Sequence, residues 1–144
     1  MNRCSFERIL SKKKIDNPIW FAMDSLEVAS REEIEAIEIF FKVKLPIEYT
    51  AFLLSYGGGY FAFTKVYSAN ANSELSIVDH NTKAKFGVSF IAISDNGAGD
   101  YYGFEVSDAK CESEVSVYDQ DKNMIVRDKY QDFYEYLCNI GLRM

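Results

Sequence analysis

The stretch 90–106, in which two apolar, aromatic-rich runs flank a glycine-rich turn, constrains the fold more than any other part of the chain. Gly97 and Gly99 can take positive φ at little steric cost, and Asp95 and Asn96 can hydrogen-bond their own backbone. The runs on either side therefore form two antiparallel strands. The second run alternates apolar and polar residues, so one face of that strand is apolar and the other can stay wet. The sequence predicts an antiparallel sheet with this hairpin at its centre.

The length and composition describe one folded domain. The chain has 144 residues, of which 48% are hydrophobic and 15% aromatic, so it can build a packed core over residues 1–144. No apolar run approaches the roughly 20 residues of a membrane-spanning helix, and the N-terminus lacks the apolar stretch of a signal peptide. We therefore expect a cytoplasmic protein that does not bind membranes.

The cysteines and carboxylates predict neither a metal nor another cofactor. Cys4, Cys111 and Cys138 are odd in number and contain no CxxC pair, which argues against a disulfide framework and against a zinc cluster. The turn 95–100 lacks the D-x-[DN]-x-[DN]-G order of a calcium loop. Reduced, mostly buried thiols are the expectation.

Negative charge is concentrated in one segment of the chain. The net charge of -6 disfavours a protein that tracks nucleic-acid phosphates. Residues 95–121 hold eight acids and one base, Lys110, so the net charge of this segment is -7 and that of the rest of the chain is +1. A single acid simply populates a turn or a solvated strand face, but together they predict a negative patch that steers a cationic partner. The acids are Asp95, Asp100, Glu105, Asp108, Glu112, Glu114, Asp119 and Asp121.

Two helices have clear boundary signals. Ser30 and Glu33 form a capping box ahead of an apolar repeat, which predicts a helix over 30–41. The next helix opens at Leu45 and Pro46, because proline suits the first helical position, and the glycines 57–59 end it.

Shorter patterns predict the remaining elements. A docking helix is expected around 6–10, a strand over 60–67, a polar connection with a helical turn over 69–85, strands over 114–118 and 124–127, and a terminal helix over 130–140. Trp20 is expected in the core, on a short strand or loop. Together the patterns predict one α+β domain in which helices pack against an antiparallel β-sheet meander.

No catalytic constellation is evident. His80, the only histidine, lies beside Asp79 and could act as a general base, but no second catalytic partner follows from spacing. The glycines 57–59 do not form a phosphate loop, since no GxxxxGK[ST] pattern follows and they end a helix. The sequence favours a surface or capping histidine and predicts a protein that is not an enzyme.

Three segments together resemble the SUKH superfamily, whose bacterial members include immunity proteins against polymorphic toxins and whose eukaryotic relatives include a yeast cell-wall regulator. Residues 33–59 resemble the family's helix, Leu-Pro junction, Tyr-x-x-Phe-Leu helix and glycine stop. Residues 91–105 are similar to its Asp/Gly-rich turn and aromatic strand, and residues 117–137 to its closing strand and aromatic helix. The junction of Leu45 and Pro46 is the most specific element, whereas Gly57 stands where many relatives carry Asn.

The resemblance implies an immunity protein that holds a rigid sheet and its loops against a cognate toxin domain, burying on the order of 1,600 Å². An acidic patch would suit a basic nuclease toxin. The alternative is a cytoplasmic regulatory scaffold module that binds a peptide or small ligand on the same sheet face, and spacing and composition do not separate the two. In either case we expect a protein partner or ligand, no direct nucleic-acid binding, and a monomer or weak dimer.

The partner-binding residues are expected on the acidic strands. Tyr118 is opposite in phase to Val115 and Val117, so it is predicted to be the exposed aromatic anchor, whereas Tyr102 lies either on this surface or in the core. If the partner does not bind on these strands, the connection 69–85 is the next candidate for the interface. The predicted partner-binding set is Asp95, Asp100, Tyr102, Glu105, Tyr118 and Asp119.

Overall fold

Helices dominate the first half of the chain and strands the second half. The computed structural model describes residues 1–23, 28–86 and 89–144, with the backbone alone for 127–129. The helices are α1 (Arg3–Asp16), α2 (Arg31–Phe41), α3 (Ile47–Ser55), α4 (Ile77–Ala84) and α5 (Phe133–Tyr136); a 3₁₀ turn (Pro18–Phe21) follows α1, and a π-helical turn (Leu137–Gly141) continues α5. The strands are β1 (Gly59–Phe61), β2 (Thr64–Val66), β3 (Phe90–Asp95), β4 (Asp100–Ser107), β5 (Lys110–Cys111), β6 (Val115–Asp119) and β7 (Met124–Tyr130).

The main sheet is an antiparallel meander. Its strands lie in the order β3–β4–β6–β7, and β5 pairs with the end of β4. The central hairpin is present as predicted, with Phe90 opposite Glu105 and Asp95 opposite Tyr101. A separate hairpin, β1–β2, packs beside β3. The predicted α+β fold, with helices packed against an antiparallel meander, is confirmed.

A β-bulge interrupts the pairing of β3 and β4. Ala92 lies opposite Gly103 and Ser94 lies opposite Tyr102, so Ile93 is an extra residue on β3. The strands approach closely here, since a Cβ atom on Gly103 would lie 2.1 Å from the carbonyl oxygen of Ile91. One extra residue reverses the faces of the residues that follow it, so the side chains of β3 do not alternate regularly through Ile93.

The core is built from aromatic rings around α3. The Phe52 ring lies 5.5 Å from the Phe61 ring and 5.4 Å from the Phe133 ring, and the Tyr49 ring also lies 5.4 Å from Phe133. The buried hydroxyl of Tyr49 donates to the carbonyl oxygen of Tyr67 at 2.6 Å. Helix α3 therefore connects the β1–β2 hairpin to the terminal helix.

The boundary signals of α2 and α3 are confirmed. The Ser30 hydroxyl accepts from the Glu33 N–H at 3.1 Å, and the Glu33 carboxylate accepts from the Ser30 N–H at 3.0 Å, which is the predicted capping box. Gly57 ends α3 with φ of 73°. Pro46 lies one position earlier than predicted, at the N-cap of α3.

Two of the predictions about the fold are wrong. The strand predicted over 60–67 is divided by a tight turn in which Ala62 has φ of 49°, so it forms the β1–β2 hairpin. Trp20 is not a core residue: it lies on the 3₁₀ turn, half-buried, with its ring edge-on to Phe63 at 4.9 Å.

Phe52→Ala should destabilise the protein by about 3–5 kcal/mol, because the ring is 4% exposed and its removal leaves a cavity among three aromatic residues. Urea melts of both proteins would measure the difference in the free energy of unfolding. Ile47→Ala on the same helix is the control, since that side chain is 79% exposed and should change stability by less than about 0.5 kcal/mol. A loss below about 1 kcal/mol for Phe52→Ala would contradict the central position of this ring.

Candidate partner-binding surface

The predicted acidic residues lie at two ends of the sheet. Asp100 and Asp119 are cross-strand neighbours on β4 and β6, at the end that carries the β3–β4 turn. The backbone joins the two there, because the Gln120 N–H donates to the carbonyl oxygen of Gly99 at 3.0 Å. Glu105 lies five residues further along β4, roughly 17 Å away at about 3.4 Å per residue. The structure therefore brings Asp100 and Asp119 together and leaves Glu105 apart from them.

Tyr118 is buried, so the prediction that it is an exposed anchor is wrong. Its side chain is 1% exposed; the ring stacks on Phe90 at 5.5 Å and meets the edge of Phe86 at 4.8 Å. Its hydroxyl donates to the Asn123 side chain. Tyr118 does lie opposite Tyr101 on the face expected from its phase, but Phe86, arriving from the segment after α4, covers that face.

The Asp95 carboxylate is hydrogen-bonded to other groups of the same chain. It accepts hydrogen bonds from the Tyr67 hydroxyl at 2.5 Å, the Lys65 ammonium at 2.9 Å and the Gly97 N–H at 2.9 Å. Burial by itself would raise the pKa of Asp95, but the hydrogen bonds from Tyr67 and Lys65 outweigh it and the pKa is lowered. Burial, together with this hydrogen bond, raises the pKa of Tyr67. Asp95 therefore joins the hairpin to the β3–β4 turn and does not offer a free charge to a partner.

A cleft of about 310 Å³ lies between the β1–β2 hairpin and the β3–β4 turn. Tyr102 forms one wall, half-buried, with its ring 5.1 Å from Tyr136. Asn96 also lines the cleft, and its side-chain amide donates to the Asp100 carboxylate at 3.2 Å. The cleft is therefore continuous with the pair of acids at the end of β4 and β6.

Two exposed aromatic residues on the hairpin border this cleft. Tyr60 is 47% exposed and Phe63 is 43% exposed. Phe63 is held in place, because Trp20 packs edge-on against it and the Arg143 guanidinium lies 3.8 Å from its ring centroid. Its N–H also donates to the carbonyl oxygen of Gly141 at 3.0 Å. The sequence does not predict the exposure of these two residues, because the turn that divides 60–67 contains no glycine or proline to mark it.

We call the combined region the turn-side surface. It consists of Tyr60, Phe63, Tyr102, Asp100 and Asp119. Three of its members, Tyr102, Asp100 and Asp119, belong to the set predicted from the sequence, and the two hairpin aromatic residues are new.

His80 packs against other parts of the protein, and two of the three cysteines are buried. The His80 ring stacks on Tyr67 at 4.2 Å, and its Nε2 lies 2.8 Å from the carbonyl oxygen of Glu74. Cys111 and Cys138 are buried and Cys4 is exposed. Burial raises the pKa of the Cys111 thiol to about 12, so it is protonated at neutral pH. In the part of the chain that the structure describes, no group of three or more His, Cys, Asp or Glu side chains could hold a metal ion.

Comparison with known proteins identifies one family. A family model described as SUKH_6, SMI1-KNR4 cell-wall, matches residues 31–137, which is more than half of the chain. The matched range contains the whole turn-side surface and excludes α1 and the 3₁₀ turn with Trp20. No curated protein gives a significant match. None of the helices described in 1–23, 28–86 and 89–144 is long and apolar enough to cross a membrane.

Asp95→Asn should lower the free energy of unfolding by about 1–3 kcal/mol at pH 7, because it removes charge-assisted hydrogen bonds from Tyr67 and Lys65. The pKa of Asp95 is lowered from its ordinary value of 3.8, so its stabilisation is complete above that pH and is lost as the pH falls below it. Urea melts from pH 7 to about pH 2 should show the two proteins converging in acid. Glu35→Gln, which removes an exposed carboxylate from α2, is the matched control; an equal effect from it would contradict a special role for Asp95.

Proposed function

Because the chain belongs to the SUKH superfamily, through its SMI1-KNR4 family match, we propose that it is a non-enzymatic immunity protein that binds and neutralises a cognate toxin domain. The observation that carries the proposal is the turn-side surface, where Tyr60 and Phe63 are exposed on a cleft that Asn96 also lines, and Asn96 binds the carboxylate of Asp100, the cross-strand neighbour of Asp119. Aromatic residues supply most of the affinity at the centres of protein interfaces, and charges at the rim steer association.

Internal contacts hold the Phe63 ring and the β3–β4 turn of this surface, which supports binding to a folded partner. Phe63 contacts both the Trp20 ring and the Arg143 guanidinium. The β3–β4 turn is fixed by the Asn96 side chain, whose oxygen accepts from the N–H groups of Ala98 at 2.8 Å and Asp100 at 3.1 Å. Side chains and loops that are ordered before binding lose less entropy when the complex forms.

The charge of the surface favours a basic partner. Asp100 and Asp119 lie side by side, and Asp121 is two residues after Asp119. A nuclease toxin needs cationic side chains to hold nucleic-acid phosphates, and an acidic surface can occupy the same side chains. We therefore propose a basic nuclease domain as the toxin.

The small-ligand alternative has less support from the cleft. Its polar groups already bind one another: Asp95 accepts from Lys65, and the Thr64 hydroxyl lies 2.9 Å from the Tyr136 hydroxyl. A small-molecule site normally presents unsatisfied polar groups that fix the orientation of the ligand. A regulatory module that binds a peptide stays open as the second function.

Tyr60→Ala and Phe63→Ala should each increase the dissociation rate of the toxin complex about tenfold or more, because they remove exposed aromatic contacts. Asp100→Lys and Asp119→Lys should mainly slow association, and the effect should be largest at low salt. The partner to use is the C-terminal domain encoded by the gene immediately upstream, and the rates can be measured by surface plasmon resonance from 50 to 500 mM salt.

The control for these variants is Ile39→Ala, which removes an apolar side chain that is 76% exposed on α2. It should leave both rates unchanged. Wild-type rates and salt dependence in all four test variants would place the interface elsewhere. An unrelated metabolic gene at the upstream position, with no toxin domain to bind, would count against the immunity function itself.

The purified protein should not hydrolyse nucleic acids, nucleotides or peptides. His80 is engaged by the Glu74 carbonyl oxygen and stacks on Tyr67, and the buried Cys111 thiol is protonated, so neither forms a nucleophile and base pair. Assays with single-stranded DNA, RNA, ATP and casein would test this. Turnover that disappears in a folded His80→Ala variant would show that the protein is an enzyme.

A further inference from the structure

A second concave surface lies at the opposite end of the sheet, between the start of α3 and β5. It encloses about 720 Å³. Its floor is apolar and buried, formed by Leu45, Pro46 and Cys111, and the apolar side chain of Ile47 stands on its wall with 79% exposure. We call this region the β5 groove.

The floor of the groove is held by backbone hydrogen bonds. Lys44 runs parallel to β5; its N–H donates to the carbonyl oxygen of Ala109 at 3.0 Å, and its own carbonyl oxygen accepts from the Cys111 N–H at 2.9 Å. The Leu45 N–H donates to the Glu38 carboxylate at 2.8 Å. The groove is therefore formed before any ligand arrives.

The rim of the groove is acidic. Glu48, Glu112 and Glu114 line it, and the cations of the lining are Lys44 and Lys110. Lys44 is compensated by Glu38, whose carboxylate lies 3.5 Å from the Lys44 ammonium. Among the side chains that line the groove, three glutamates then stand against Lys110, which leaves the rim negative. Glu48 also interacts with the Met1 ammonium, whose ion-pair partner is Asp132. Because Pro46 provides no side-chain cap, Glu48 is also the acid that complements the start of α3.

We propose that the β5 groove binds an extended, basic segment of a protein partner. One apolar side chain of the segment packs on Leu45 and Pro46 beside Ile47, and flanking lysines or arginines approach Glu112 and Glu114. Charge complementarity selects the basic residues. The exposed Ile47 side chain supplies apolar surface that binding removes from water. This inference is independent of toxin neutralisation, because the groove lies at the other end of the sheet from the turn-side surface.

The test is a titration of the ¹⁵N-labelled protein with the peptide acetyl-GKLKG-amide, followed by NMR. Chemical-shift changes are expected at 44–48 and 110–114. The double variant Glu112→Gln and Glu114→Gln should weaken binding about fivefold, as two partly screened charge pairs would. The matched control, Glu32→Gln with Glu35→Gln, makes the same charge change at exposed positions of α2 outside both surfaces and should leave the affinity unaltered.

The apolar contact has its own test. Ile47→Ser should weaken binding of the leucine peptide and leave binding of acetyl-GKGKG-amide unchanged. The protein should stay folded, since Ile47 is mostly exposed.

Several outcomes would overturn the inference. One is the absence of shifts at 44–48 and 110–114 with about 5 mM peptide, a concentration that detects millimolar affinity. Another is an equal loss of affinity in the two double variants, which would indicate attraction by net charge alone. A third is tighter binding of acetyl-GELEG-amide at the same residues, which would show an anion site at the start of α3.

Discussion

The bulge at Ile93, next to the Ala92–Gly103 pair, is the constraint on which the turn-side surface depends. The Ile93 carbonyl oxygen accepts the Tyr67 N–H at 2.8 Å, and this bond attaches the segment after β2 to the main sheet. Because the bulge reverses the faces of the next two residues, Ser94 lies 3.4 Å from the Thr64 hydroxyl while Asp95 reaches Tyr67 and Lys65. A side chain at Gly103 would collide with the β3 backbone, so the close approach of these strands requires glycine.

The features that could be predicted from the sequence are those decided within a few residues. The Ser30 capping box, the glycine after α3 and the Asx turn at Asp95 each satisfy backbone groups close by in the chain, and each is present. The errors came from distant contacts. Tyr118 is buried by Phe86, 32 residues earlier, and no periodicity within β6 reports that. The β1–β2 turn was missed because Ala62 adopts positive φ without the glycine that usually marks it.

The acidic segment shows why a count of charges does not locate a site. Asp100 and Glu105 lie on one strand but at its two ends, because a strand advances about 3.4 Å with every residue. Asp95, close to Asp100 in sequence, is compensated by Lys65 from another hairpin. The charge of -7 is therefore distributed between two separate rims, one beside the hairpin aromatic residues and one beside the floor of the β5 groove. Only the pairing of strands determines which acids become neighbours.

The turn-side surface and the β5 groove differ in how much of each is formed by the residues that match the family. The β5 groove and its Leu45–Pro46 floor lie wholly inside the matched residues 31–137, as do Tyr60 and Phe63. Trp20, Lys13 and Arg143 lie outside the match, yet Trp20 and Arg143 hold the Phe63 ring, and the Lys13 ammonium lies 5.6 Å from the Trp20 ring. The presentation of Phe63 is therefore set by segments before and after the matched range. Because Trp20 is only half-buried and Arg143 is exposed, substitutions at these two positions act on the Phe63 ring more than on the core.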